Sequence, residues 1–242
     1  MLYAVLSDIH GNMYALQSVL RDMRSFDIKG AVLLGDLIDY GMQSNEVVRL
    51  LRDEFDYDII CNIWGNHERA IMLGDFDRFS SQRGEDCAKH TASLLADDVK
   101  QYLDTKMTHE GRAEFTLAGK KCLAVHASLD EPYWKAIAPD NVRGDYREYD
   151  IVFSGHSHYS HAFAKFYETQ DPQRRNKRAV TFINPGSVGQ PRNHNPRAQY
   201  AIFDSDTLSV TMRCTDYPAD KTMALYDGSV DDFYRARLEY GV

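Results

Sequence analysis

The chain has 242 residues, and 28 Lys and Arg against 36 Asp and Glu leave a net charge of −8. That length suits one large α/β domain with a sizeable core. The acidic balance makes it a poor non-specific binder of nucleic acid polymers or anionic membrane. No basic, apolar leader follows Met1 and no apolar run reaches about 18 residues, so a soluble, cytoplasmic protein with no membrane contact is expected. Cys61, Cys87, Cys122 and Cys214 form no C-x-x-C pair, which argues against a zinc knuckle or a dithiol redox site, and Cys61 and Cys122 read as small core hydrophobes.

In chain order, residues 2–8 (LYAVLSD) read as a strand buried on both faces, and residues 12–23 as a helix with Asn12 as N-cap. The unit repeats as a strand at 31–36 with a helix at 44–55, and again as a strand at 57–62 with a helix opening near Asn66. Such alternation predicts a parallel sheet whose strand carboxyl ends form a functional rim. Residues 82–107 are polar and helical, with 94–103 their clearest amphipathic part. The short β-branched and aromatic runs at 113–119, 121–128, 150–155, 161–168, 179–184, 199–204 and 208–213 predict a second sheet with hairpins. Two sheets sharing one core with helices outside is the expected architecture. The patch 170–178 (QDPQRRNKR) reads as a solvated hairpin loop, and 217–242 as a helical extension packed on the domain formed by 1–216 or on a second subunit of a homo-oligomer.

Chemistry-bearing residues recur where strands end: 7–12 (SDIHGN), 35–39 (GDLID), 65–68 (GNHE), 125–128 (VHAS) and 155–158 (GHSH). Parallel strands bring such segments to one rim. Imidazole and carboxylate donors suit Mn, Fe, Zn or Ni, and the D-x-H and H-x-H spacings would aim alternate side chains of an extended segment at one point. Gly11, Gly35, Gly65 and Gly155 permit the sharp turns such a rim needs.

This set, with residues 184–192 (NPGSVGQPR) after the GHSH strand, resembles the calcineurin-like metallophosphoesterase superfamily, and within it the small bacterial and archaeal phosphoesterases. The resemblance runs from Leu2 to about Met212. It implies an α/β fold, an αββα sandwich of two mixed sheets flanked by helices, and two divalent transition-metal ions, Mn²⁺ first and Fe, Zn or Ni as alternatives. By the same resemblance Asp8, His10, Asp36 and His158 hold one metal, and Asp36, Asn66, His126 and His156 the other, with Asp36 bridging. The implied reaction is hydrolysis of a phosphodiester or phosphomonoester of a small substrate, a nucleotide among the candidates, by attack of a metal-bridging hydroxide.

His67 is placed to protonate the leaving group. In the serine/threonine phosphoprotein phosphatases, G-D-x-V-D-R-G carries a second aspartate that pairs with the histidine of GNHE; Asp39 and His67 match that pair. A turn-capping Asp39 is the alternative reading. Tyr40 departs from the pattern, standing where those phosphatases have a phosphate-binding arginine, and a tyrosine cannot make the bidentate contact. Anion binding would then fall to Arg192, His194 or Arg197, with surface solvation as the alternative, and Arg192 and Asn66 are the candidate substrate contacts. Glu68 reads either as support for the site or as a helix N-terminal acid. His90, His109 and His161 read as structural or exposed. Trp64 reads as core, and Tyr133 and Trp134 as either core or a stacking wall. The competing functions are a phosphoprotein phosphatase and a non-catalytic scaffold of the same fold, such as the retromer subunit; such scaffolds break the ligand or GNH positions that are intact here.

Overall fold

The computed structural model describes residues 1–242, the side chain of Arg174 excepted. The chain opens with β1 (Leu2–Leu6), α1 (Met13–Met23), β2 (Ile28–Leu33), α2 (Ser44–Asp53), β3 (Asp58–Asn62) and α3 (Asn66–Leu73). Helices α4 (Gln82–Leu94) and α5 (Asp97–Lys106) follow, then β4 (Arg112–Leu117), β5 (Lys120–Val125) and β6 (Ile151–Ser154). The remainder is β7 (His161–Glu168), β8 (Lys177–Asn184), β9 (Ala198–Asp204), β10 (Ser209–Thr215), α6 (Ala219–Met223) and α7 (Phe233–Tyr240).

Ten strands make two five-stranded sheets, ordered β10-β9-β1-β2-β3 and β4-β5-β6-β8-β7. Both are mixed: β1, β2 and β3 run parallel with β9 antiparallel to β1, while β5, β6 and β8 run parallel with β4 and β7 antiparallel at the edges. The expectation that residues 199–213 belong to the second sheet is corrected, because β9 pairs with β1 through Leu2↔Asp204 to Val5↔Ala201 and β10 follows as its hairpin partner. The reason lies in the side chains. β9 is apolar on both faces, sending Tyr200 and Ile202 to the helix side and Ala201 and Phe203 to the space between sheets. Only a central position buries both.

The same period-two division governs β1. Tyr3 and Val5 enter the inter-sheet core with Phe153, Ile183 and Phe203, while Ala4 and Leu6 face the helices with Leu16 and Val19. The outer face of the second sheet is covered by Ile137, Tyr146 and Tyr149 from the segment between β5 and β6. Asn12 caps α1, its side chain accepting from Ala15 N at 3.1 Å. The amphipathic stretch at 94–103 is not one helix, since Leu95 takes extended backbone and Ala96 starts α5 afresh, Ala96 N donating to Asn45 Oδ1 at 2.9 Å.

Candidate metal centre and its surroundings

The carboxyl ends of β1, β2, β5 and β6 and the start of α3 meet at one rim, and they bring Asp8, His10, Asp36, Asn66, His126, His156 and His158 together. Alternation along an extended strand is not how they converge. Asp8, His10, Asp36, His156 and His158 all have left-handed backbone, with φ between 49° and 65°. Such conformations are uncommon outside glycine and concentrate at functional sites. Here they are held by hydrogen bonds that extend the β1–β2 pairing past the sheet: Asp8 N to Gly35 O, His10 N to Asp36 O and Gly11 N to Leu37 O, at 2.9–3.1 Å. Residues 184–192 lie across the same loop, Val188 N donating to Ser7 O, Gly189 N to Asp8 O, and Ser187 Oγ to Asp8 O. A Cβ at Gly189 would collide with Ile9 O, so only glycine permits that approach.

Three donor groups result: Asp8, His10 and His158; His10, Asp36 and His67; and Asp36, His126 and His156, the donor atoms of each lying within 4.8 Å of one another. Asn66 Oδ1 stands 2.9 Å from both His126 Nε2 and His156 Nδ1. The arrangement fits cations. His10 Nδ1 and His158 Nδ1 each face a backbone carbonyl, Ile38 O at 3.2 Å and Gln190 O at 2.5 Å. With those nitrogens donating, the two Nε2 lone pairs face each other across 3.2 Å. Asp8 Oδ1, fully buried, accepts no hydrogen bond although His158 Nε2 lies 3.2 Å away. Lone pairs converging without a proton between them call for a positive ion.

Electrostatics agree. Burial, then the neighbouring His67, holds the His10 pKa well below its usual value. Burial and His126 bring His156 down to about 3, and burial with Arg192 brings His158 down to about 4, so these rings are neutral at pH 7, as metal ligands must be. Burial opposes charge on Asp36 and Asp8, but the surrounding imidazoles outweigh it and keep both carboxyls below the usual range. His126 is the exception: Asp36 overcomes burial and pushes it up to about 9, so a metal bound there has to displace a proton.

Asp39 and His67 also meet, Nδ1 to Oδ2 at 2.7 Å, and His67 Nε2 lies 3.9 Å from Asp36 Oδ2. Burial acts against a charged His67, yet Asp36 and Asp39 raise its pKa. The other Asp39 oxygen accepts from Thr91 Oγ1 at 2.7 Å, a partner the sequence did not mark. Glu68 is more than a helix-end acid: its carboxylate accepts from Gly65, Asp36 and Leu37 N at 2.7–2.8 Å and from Ile38 N at 3.3 Å.

Of the candidate anion-binding residues, only Arg192 lines the pocket beside the site, with Tyr40 and His158. Arg197 is exposed and pairs with Asp216 at 2.8 Å, and His194 is exposed, its backbone N donating to Gly241 O. Arg192 Nε is buried without a hydrogen-bond partner. Tyr133 is core, its hydroxyl donating to His109 O, whereas Trp134 lines the pocket. Trp64 is core as expected, and His109 stacks on it at 4.0 Å.

Sequence reasoning gave the tail at 217–242 no role at the site, yet it reaches Tyr40. Tyr40 packs 4.5 Å from the His10 ring and 4.4 Å from His67, and Tyr234 of α7 stacks on its other side at 4.6 Å and 18°. Tyr226 Oη donates to Tyr40 O at 3.0 Å and Thr222 Oγ1 to Asn12 Oδ1 at 3.1 Å. The tyrosine that replaces the phosphatase arginine is thus a wedge between two site histidines and the last helix. Neighbouring aromatics nearly 200 residues apart carry no local signal, so only the fold reveals it.

A sandwich of two mixed sheets with imidazole, carboxylate and amide donors gathered at its strand ends defines an α/β protein with a rim of candidate metal ligands. The chain belongs to the calcineurin-like phosphoesterase superfamily, whose domain model matches residues 1–208. It is 30% identical over 231 residues to an uncharacterized protein of Methanocaldococcus jannaschii, covering 91% of this chain and 89% of the other. A metallophosphoesterase from Sphaerobacter thermophilus superposes over 100% of both chains with a TM-score of 0.75 at 28% identity. A hypothetical protein of Pyrococcus horikoshii shares the fold with a TM-score of 0.78 at 18% identity, over 100% of this chain and 98% of that one. The family is one of phosphoesterases, which usually bind divalent metals, and the donor groups above are the candidate ligands. No helix among the described residues is long and apolar enough to cross a membrane.

Proposed function

We propose that the protein hydrolyses a phosphodiester or phosphomonoester of a small substrate with two divalent ions, Mn²⁺ first among them. Asp8, His10, Asp36 and His158 would hold one, and Asp36, Asn66, His126 and His156 the other. Such ions, when bound, supply Lewis-acid and water-activating chemistry. The observation that carries the reading is the pair of Nε2 lone pairs on His10 and His158, 3.2 Å apart beside an unpartnered Asp8 oxygen.

The protein's own groups divide the remaining work. Asp39 accepts from His67 Nδ1 and so directs a proton on Nε2 towards the site, where His67 hands it to the departing oxygen. Asn66 contributes a neutral carbonyl oxygen, which keeps negative charge away from the incoming phosphate. Arg192, buried at Nε and without a hydrogen-bonding partner there, offers its guanidinium to a phosphoryl oxygen. Arg192→Ala is expected to lower kcat/KM about 10–100-fold, the worth of a charged hydrogen bond, with metal content unchanged. Steady-state kinetics alongside metal analysis check this.

The test of the whole reading is a panel of bis-p-nitrophenyl phosphate, p-nitrophenyl phosphate and nucleotides with Mn²⁺, Ni²⁺ and Zn²⁺. Metal-stimulated hydrolysis, abolished by chelation, is the expected result, and the diester-to-monoester ratio fixes the bond type. Absence of bound metal together with no stimulated activity would favour the scaffold instead.

A further inference from the structure

Beside the donor groups opens a cavity of about 320 Å³. One wall is the ligand cluster with Tyr40 and Arg192; the other is Arg78, Phe79 and Ser80 from the α3–α4 connection and Trp134 from the loop after β5. The second wall contributes none of the candidate metal ligands. We infer that this corner is the leaving-group subsite and that it takes a nucleoside, making the substrate a nucleotide-type phosphoester. The inference rests on the phosphoesterase reading and sharpens it.

Position comes first. His67, the group assigned to the leaving oxygen, contacts Phe79 edge to face at 5.1 Å, and Phe79 meets Trp134 at 5.4 Å and 87°. A leaving group protonated by His67 therefore has Phe79 and Trp134 among its aromatic neighbours, together with Tyr40, 4.4 Å from the same imidazole. Both rings line the cavity, so each presents part of its apolar surface to a guest. Both side chains are only half-buried, although they come from loops and belong to the largest apolar types. The volume is at the lower end of small-molecule sites, enough for a base and sugar beside the phosphate but not for a folded protein loop.

Polarity decides the kind of ring. The Arg78 guanidinium lies 5.6 Å over the Trp134 ring, and its ion pair with Glu131 is a 3.5 Å contact at the rim, so donors remain for a guest. Ser80, also exposed, adds a hydroxyl. Donors around an aromatic corner match a nucleobase, which presents ring nitrogens and carbonyls as acceptors. A phosphotyrosine ring presents none. Stacking of a base on an aromatic side chain tolerates base identity, so the slot selects nucleosides as a class.

The test uses the whole protein. In metal-free protein, adenosine should quench tryptophan emission saturably and glycerol should not; Trp64 is in the core, so the signal should vanish in Trp134→Ala and in Trp134→Phe. With Mn²⁺, Trp134→Ala should lower kcat/KM for adenosine 5′-monophosphate about tenfold or more and leave glycerol 3-phosphate within twofold, while Trp134→Phe retains most of the activity. No quenching in the wild type, an equal loss on both esters, or a preference for phosphotyrosine over the nucleotide would overturn the proposal. Hydrolysis of neither ester, nor of the diester bis-p-nitrophenyl phosphate, would sink the phosphoesterase reading, and saturable quenching would then still support the nucleoside slot.

Discussion

Asp39→Asn is expected to lower kcat about 10²–10⁴-fold while metal content and thermal stability stay near wild type. Asp39 is wholly buried and belongs to none of the three donor groups, so removing its charge removes no candidate metal ligand. The amide is isosteric and can still meet both His67 and Thr91, whose contacts with the carboxylate are 2.7 Å each. What it cannot supply is negative charge. Burial works against a cationic His67, and Asp36 and Asp39 together reverse that balance; with Asn in place the ring loses Asp39's share of this support and is less readily protonated when a proton is needed.

The size of the loss should depend on the leaving group. A p-nitrophenolate departs without help, whereas an alkoxide needs the proton, so the variant should be nearly normal on p-nitrophenyl esters and severely impaired on alkyl esters. Rates on the two substrate types, each divided by bound metal, decide the matter. Loss of metal with unchanged activity per metal would show Asp39 to be a structural residue.

How far the sequence alone reached can be judged from particular residues. The strand–helix alternation up to α3 is legible because each strand is an apolar run closed by Gly, Asp or Asn, and because Asn12 caps the helix it precedes. The donor residues are legible because metal chemistry restricts residue type, and parallel strands put carboxyl ends on one side. What fails is whatever depends on pairing at a distance. A run such as 199–204 has strand character whichever sheet receives it, and only its second apolar face, matched to β1, assigns it. The left-handed backbone of Asp8, His10, Asp36, His156 and His158 is not legible, since Asp and His adopt positive φ far less readily than glycine and their presence alone does not mark it. Tyr40 shows the limit in another way. Its departure from the phosphatase motif is visible, but its role as a packed wedge under Tyr234 is not.

Glu68→Ala should destabilise the fold by roughly 3–5 kcal/mol and abolish metal binding at the same time, an effect far beyond that of an ordinary helix-end acid. The carboxylate is fully buried and is the acceptor for Gly65, Asp36 and Leu37 N at 2.7–2.8 Å, with Ile38 N at 3.3 Å. It therefore ties the loop that carries Asp36 to the first turn of the helix that carries Asn66. Each buried N–H left without an acceptor costs about 1–3 kcal/mol, so even two orphaned donors exceed what a macrodipole interaction supplies, about 0.3–1 kcal/mol. The two roles are thus separable by magnitude. Glu68→Gln should not rescue, because one end of the amide would turn donors towards donors. The close fit at Gly65, where an added Cβ would run into Asp36 Oδ1, leaves no room for the loop to shift and recover. Thermal denaturation reads the first effect as about 2–4 °C per kcal/mol for a chain of this size, and metal stoichiometry after dialysis reads the second. A loss below about 1 kcal/mol with full metal content would return Glu68 to the status of a helix-terminal charge.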